Sequence, residues 1–513
     1  MTSLTRFGSD KDKKRNNIDE HIGIVTNIRE IFDTYPSTKR CWIQLKNINS
    51  AKKDTFVLIR DASRPNLSFI GRVIELKNIS EILVDIFRTK LLKSKLNPEE
   101  YIVGSLTKPE YYKIYALVDL LFELDGDDVH TVDTPPTDAS KVYNCDSKII
   151  PQVLGFSLDK NKSICIGRLS RHENVEVCID LNGFFRDFPH LVILGQSGAG
   201  KSYAVGVILE EAVWKGVPAI VFDHTGEYIS MKETVEGNKG LNVLELDSES
   251  LSINFEELIS DEGNLKILQS TFDLTDPQVR LIRLIYHHLK NRNQSITLEA
   301  FENNIDNVAR IYGFPDITVD NFRGKFKILK DSILLDKGKM FDIQEIVKPG
   351  QLTVIDLSKK DDLLRNTMII ALILKKLRDA RREKKIPPSI VVIEEAHNYA
   401  SSVETPSSIM IKKFIREARH YGIGMILVSQ RPVGLHKDVV NISNNYLLFR
   451  LVGDDLDYVR KQINLDEKVI EDLKSLDVGE AYLSSPLIRN HIPIKVVIRK
   501  RKTKHGGRGI DFI

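Results

Sequence analysis

No apolar run in the 513-residue chain reaches the ~18 residues that a membrane-crossing helix needs. Residues 1–15 are polar and basic and lack the apolar stretch of a secretory signal. Cysteine is scarce: Cys41, Cys145, Cys165 and Cys178 form no CxxC pair, which excludes a zinc ribbon and a disulfide scaffold. Scattered thiols of this kind predict a reducing, cytoplasmic compartment. Net charge is nearly absent too. Lys plus Arg is 74 and Asp plus Glu is 71, leaving +3, so no large uniform basic field exists. Contact with nucleic acid then has to come from local clusters or from several subunits acting together. No internal repeat, low-complexity tract or nuclease motif is present. With 42% hydrophobic and 28% charged residues, the chain reads as globular rather than disordered.

The chain changes character along its length. Residues 1–18 are polar and read as a mobile tail. From 19 to 145, short β-type runs (HIGIVTNI, CWIQL, TFVLIR, FIGRVIEL, YYKIYALVDLLF) are separated mostly by turn residues and predict a small β-barrel. Within this region 79–92 carries helical apolar spacing, and DTPPTDAS (133–140) reads as a linker. After about 146, apolar strands alternate with amphipathic helices, the pattern of a largely parallel α/β sheet. The strand candidates are LVILG (191–195), AIVFD (219–223), LTVIDL (352–357), SIVVIEE (389–395), GMILVSQ (424–430) and YLLFRL (446–451). Their polar ends fall at the carboxyl edge, where such sheets bind ligands. Three- and four-residue apolar spacing over 255–345 predicts a helical insertion between core segments 146–254 and 346–485. Residues 486–513 hold a final strand candidate and a basic tail.

The strongest chemical signal is Gly195-Gln196-Ser197-Gly198-Ala199-Gly200-Lys201-Ser202, a GxxxxGK[ST] loop between a strand and a helix that opens with Tyr203. Such a loop turns main-chain N–H groups around phosphate oxygens at a helix N-terminus. Residues 195–203 are therefore the predicted ATP-binding segment. Lys201 is expected on the β- and γ-phosphates and Ser202 on Mg²⁺. A second signal is IVVIEE, an apolar strand ending in Glu394 and Glu395. Two acids can divide two tasks: Glu394 on the Mg²⁺ side, where Asp is more usual, and Glu395 as the base that polarises water. Gln430, at the end of ILVSQRP, is placed to sense the γ-phosphate. Arg416 and Arg419 lie near a helix end stopped by Gly422. Arg419 either complements the helix dipole or reaches a neighbouring subunit's ATP as an arginine finger. In Asp223-His-Thr-Gly-Glu227-Tyr228, the acids either hold a water or cap a turn. Lys412 and Lys413 are either DNA-facing or an exposed helix face.

The ordered set HLVILGQSGAGKS, FDHTGEY, VVIEEAHNYA, EARHYGIGMILVSQRP and GEAYL resembles the HerA-type branch of the FtsK–HerA superfamily of ring ATPases. The resemblance covers roughly 150–513 and extends more weakly toward the N-terminus. It implies a RecA-like P-loop core with a helical-bundle insertion, an N-terminal barrel like that of ATP synthase, and a C-terminal strap that braces the adjacent subunit. It also implies a homo-hexameric ring that moves double-stranded DNA, with ATP and Mg²⁺ as cofactors. A separate effector is implied, either a NurA-like nuclease or a sirtuin-like NADase, in DNA-end processing or anti-phage defence. By motif position Lys201, Glu395, Arg419 and Gln430 carry catalysis. Pro189-His190 departs from the Arg-His often found before this strand, so any role of that arginine is absent or moved.

A rival from another class is a nucleotide-gated scaffold that activates its effector with little movement of its own. A GTPase is disfavoured by the lack of an NKxD-type tetrapeptide, and a membrane-bound coupling ATPase by the lack of a span.

Overall fold

The computed structural model describes residues 20–26, 37–47, 49–80, 112–126, 128–187, 189–235, 240–247, 251–332, 334–335, 342–359 and 362–506, with the side chains of 80, 112, 334, 418 and 419 excepted. The predicted tail and most of the 79–92 segment lie outside these. Residues 79 and 80 end a strand rather than begin a helix. Two compact units are present: 1–158 with 168–177 and 488–495, and the remainder.

In the first unit the strands are β1 (Gly23–Thr26), β2 (Arg40–Leu45), β3 (Phe56–Arg60), β4 (Leu67–Ser80), β5 (Tyr112–Asp125), β6 (Asp128–His130) and β7 (Lys141–Asn144), followed by helix α1 (Ile149–Leu154). Their order is β2-β1-β7-β3-β4-β5, and β2 pairs back onto β5, so six strands close a barrel and β6 adds to β5. Closure removes the exposed edges of a short-stranded sheet. Alternating inward residues, among them Ile43, Val57, Phe69, Val73, Val118 and Val142, fill the interior. Gly71 sits at a register shift between β4 and β5, where a Cβ would lie 2.9 Å from the Asp119 carbonyl oxygen.

The DTPPTDAS segment is not a free linker. Buried Asp61 accepts from the main-chain N–H groups of Ser63, Arg64 and Thr137 and pairs with Arg64 at 2.8 Å. Arg64 also binds the Pro135 carbonyl. Burial would raise the Asp61 carboxyl, but these bonds outweigh it and hold it well below the usual range.

An eleven-stranded sheet carries the second unit. Its strands are β8 (Ser163–Leu169), β9 (His172–Asp180), β10 (His190–Leu194), β11 (Ala219–Asp223), β12 (Asn242–Asp247), β15 (Gln351–Asp356), β16 (Ser389–Ile393), β17 (Ile423–Ser429), β18 (Asn445–Leu448), β19 (Glu480–Ser484) and β20 (Ile494–Ile498). Three of them, β8, β9 and β20, include residues of the ranges 168–177 and 488–495. The order is β12-β15-β11-β16-β17-β10-β18-β19-β20-β8-β9. The pairs from β12 through β18 are parallel. The hairpin β8–β9 brings Cys165 and Cys178 to a Cα separation of 4.0 Å, and they form a disulfide. This corrects the reading of four unpaired thiols: the strands align residues that are 13 apart in sequence.

Helix α2 (Lys201–Trp214) follows β10. After a two-residue strand β13 (Ser252–Ile253) come α3 (Phe255–Ser260), α4 (Glu262–Thr271), α5 (Asp276–Asn291), α6 (Leu298–Ile311) and α7 (Asp316–Ser332). Local chemistry starts these helices. Asn254, Asp261 and Thr297 accept the N-terminal N–H groups of α3, α4 and α6, and Thr275 with Gln278 forms a capping box on α5. Phe255, Phe301, Phe322 and Phe326 pack together among them. Strand β14 (Leu334–Leu335) pairs with β13 and ties the two ends of the helical segment. The remaining helices are α8 (Ile343–Ile346), α9 (Leu363–Arg382), α10 (Pro406–Tyr421), α11 (Lys437–Ile442), α12 (Gly453–Gln462) and α13 (Glu467–Leu473). No helix among the described residues is long and apolar enough to cross a membrane.

Candidate nucleotide site

Strand β10 is buried along its whole length and delivers Gly195 to the carboxyl edge of the sheet. A Cβ at 195 would lie 2.5 Å from Phe449 Cβ, so only glycine fits. Gly198 and Gly200 have φ of 73° and 108°, left-handed conformations that a side chain disfavours. The loop is anchored on both sides: Gln196 N–H donates to the Arg450 carbonyl at 2.9 Å, and Gly479 N–H to the Ala199 carbonyl at 3.1 Å. Lys201 and Ser202 open α2, whose first main-chain donors face this loop. Lys201 is nine-tenths buried, and its Nζ donates to the Gln196 carbonyl at 2.9 Å. Burial lowers its ammonium pKa, against the pull of Glu395, Glu394 and Glu227.

The sheet order sets the opposing wall. β17 lies between β10 and β16, so Gln430 and the acid pair at the end of β16 fall on the same edge as the loop. Glu394 is 3% exposed and accepts the Tyr228 hydroxyl. Burial pushes its carboxyl up to about 8, with Asp223, Glu395 and Glu227 adding and the Tyr228 bond opposing. Glu395 has φ 46°, an uncommon left-handed turn for a non-glycine residue, as strand gives way to a short 3-10 turn. Its buried Oε2 lies 3.2 Å from His397 Nδ1 but takes no hydrogen bond of acceptable geometry among the described residues. Burial raises the Glu395 carboxyl, while the charges of Lys201 and His224 and a main-chain bond from Gln430 pull it down. Burial holds His397 below the usual histidine value, so it is neutral near pH 7.

Asp223 ends β11 and accepts from the N–H groups of Thr225, Gly226 and Tyr228 at 3.1, 2.8 and 2.9 Å. Of the two readings of this acid, the structure favours the turn cap. Beside it, Glu227 Oε2 is buried with no partner among the described residues. Arg416 pairs with Asp438 at 2.8 Å. Arg419 belongs to α10, but its side chain lies outside the described residues. Lys412 lies 3.6 Å from Glu404, while Lys413 is exposed. The basic segment after β20 is neither a solvated tail nor, through residue 506, extended away from its own subunit. Arg499 binds Glu210 and Glu211 of α2.

Sequence patterns single out neither Glu210 nor Phe449, and they give no individual role to Tyr228 within DHTGEY or to Arg501 within the basic run 499–504. An acid inside an otherwise apolar helix was the one available signal for Glu210.

A parallel sheet with a phosphate-type loop on one strand, an acid pair two strands away and a polar strand end between them defines a RecA-like P-loop ATPase core. Residues 164–377 match the family model described as Helicase HerA, central domain. The DNA double-strand break repair helicase HerA of Sulfolobus acidocaldarius is 29% identical over 426 residues, covering 77% of this chain and 79% of that protein. Its namesake from Pyrococcus furiosus is 26% identical over 496 residues, 86% of each chain. The structure of VirB4 of Thermoanaerobacter pseudethanolicus superposes with a TM-score of 0.53 at 16% identity, over 67% of this chain and 98% of that one, a likeness of fold. Residues 164–377 thus match the HerA central domain, and the chain is similar to HerA helicases over most of its length.

Proposed function

We propose that this chain is an ATP-hydrolysing motor that moves double-stranded DNA as one subunit of a homo-hexameric ring. The observation that carries the reading is that Lys201, Glu395 and the Gln430 main chain share one sheet edge, with a buried Glu395 oxygen that takes no hydrogen bond among the described residues. The relatives named above, called DNA double-strand break repair helicases, support DNA as the track.

In this reading residues 195–203 bind ATP: Gly195, Gln196, Ser197, Gly198, Ala199 and Gly200 wrap the phosphates, Lys201 neutralises the β- and γ-oxygens, and Ser202 and Tyr203 begin the helix beneath them. Glu395 takes a proton from the attacking water, and its raised pKa brings it nearer the operating pH of a general base. Gln430 reports the γ-phosphate, and Arg419 serves the neighbouring subunit's ATP. The Ser202 hydroxyl and Glu394 would hold Mg²⁺, whose charge would favour the ionised form of a carboxyl that burial otherwise keeps neutral. Among the described residues no three His, Cys, Asp or Glu side chains form a cage. When bound, the ion would neutralise charge on the phosphates.

The helical segment 255–345 is an insertion between core halves 146–254 and 346–485. The barrel spans 19–145, and 486–513 is the C-terminal brace. A separate nuclease or sirtuin-like NADase completes the machine in the cytoplasm, in DNA-end processing or anti-phage defence.

Displacement of a triplex-forming strand from linear duplex DNA tests the motor directly. Release should require ATP and fail with Lys201→Ala. If no ATP-dependent release occurs with the partner supplied, the chain is not a translocase.

A further inference from the structure

Through residue 506 the chain does not run free after β20. Arg499 donates to the Cys165 carbonyl, to Glu210 Oε2 at 2.8 Å and to Glu211 Oε1 at 2.9 Å. Glu210 is fully buried in α2, and its other oxygen accepts from Lys502 N–H, Thr503 N–H and the Thr503 hydroxyl at 2.8, 2.7 and 2.8 Å. One carboxylate thus fixes residues 499–503 along the helix that begins with Lys201.

This clamp places Arg501 against the first turns of α2. Its N–H donates to the Tyr203 hydroxyl at 2.7 Å. Nη1 lies 3.0 Å from His505 Nδ1, and Nη2 donates to Thr503 Oγ1 and the Lys504 carbonyl. A Cβ on Gly206 would lie 2.6 Å from Arg501 Cζ, so the guanidinium fills the place of that missing side chain. Arg501 is only 6% exposed, yet its Nε has no acceptor among the described residues. A buried charged donor without a partner is costly, so an acceptor from outside the described residues would stabilise it.

Geometry says which ligand. Tyr203 directly follows Ser202, and Gly206 lies one turn beyond Ser202 on the same helix face. In the proposed reading the N–H groups at this helix start hold the phosphates, with the nucleoside attached at the same end. Acceptors at that end are α-phosphate and ribose oxygens. We infer that Arg501 donates its Nε–H to an oxygen at the α-phosphate–ribose end of the bound nucleotide, so that each subunit closes the nucleoside side of its own site with its own C-terminal strap. The inference rests on nucleotide binding at 195–203. It differs from a strap lent only to a neighbour.

Calorimetric titration of the full chain with ADP and with ATPγS tests it. Arg501→Ala should weaken both by a similar factor, about 10- to 100-fold, because the contact is to the part they share. Gly206→Ala should do the same. It keeps Arg501 and the Glu210 clamp, favours the helix, and displaces the guanidinium end of Arg501. In the wild type, ADP should slow hydrogen exchange of amides 499–506, a readout that stands even if Arg501→Ala fails to fold. Wild-type affinities in Gly206→Ala, or exchange unmoved by ADP, overturn the inference and leave the nucleotide site standing. A wild-type chain that binds neither nucleotide overturns both.

Discussion

Tyr228 donates its hydroxyl to Glu394 across 166 residues of sequence, and both side chains are buried. The bond joins the turn after β11 to the end of β16, and so sets where the acid pair stands relative to the loop at 195–202. Tyr228→Phe removes the donor and leaves a buried carboxyl without it. The expected cost is about 1–3 kcal/mol, read as a lower urea midpoint at unchanged slope. An unchanged midpoint would show that Glu394 does not need this partner.

Glu395 is expected to act in hydrolysis rather than in binding. Glu395→Gln should lower ATP turnover by roughly 10²–10⁴-fold while ATP affinity stays near wild type. If the variant still activates an effector fully, the scaffold reading gains over the motor reading.

His190 gives a pH dependence with a definite sign. It is 2% exposed, its Nε2 bonds the Ile415 carbonyl at 2.8 Å, and Nδ1 has no partner among the described residues. Burial lowers its pKa from 6.5 to about 4, against the Ile415 bond. Below pH 6.5 the unfolded chain takes up the proton and the folded one resists. Stability from this group is therefore intact above pH 6.5 and lost as pH falls toward 4. Between pH 7 and pH 5 the loss is about 2 kcal/mol. His190→Asn should remove that part of the slope, and parallel urea titrations of both proteins check it.

Glu210→Ala should free the strap. Four donors lose their acceptor, so stability should fall by more than ~2 kcal/mol. Trypsin should then cut between 499 and 504 well before it cuts the core. Equal cleavage rates in the variant and the parent would show that Glu210 does not hold the segment.

Much of this was legible in local sequence. β10, β11, β16 and β17 are five- to seven-residue, mostly apolar runs that stop at a glycine or a polar residue, and strands buried on both faces look like that. The barrel strands alternate and are punctuated by turn residues. The phosphate loop and the acid pair are contiguous motifs, so their spacing suffices to find them. Contacts between distant segments were not legible. Tyr228 with Glu394, Arg501 with Tyr203 and Cys165 with Cys178 depend on how strands and strap are laid side by side, and no local period encodes that. The tie of Thr137 to Asp61, which fixes a proline-containing segment that reads as linker, is the same kind of miss.

Steady-state ATP hydrolysis by the parent chain and by Lys201→Ala, each with saturating duplex DNA, tests the central claim most directly. The account predicts DNA-stimulated turnover in the parent and a loss of at least ~10²-fold in the variant, whose phosphate-binding cation is gone. Equal turnover by the two proteins would contradict it.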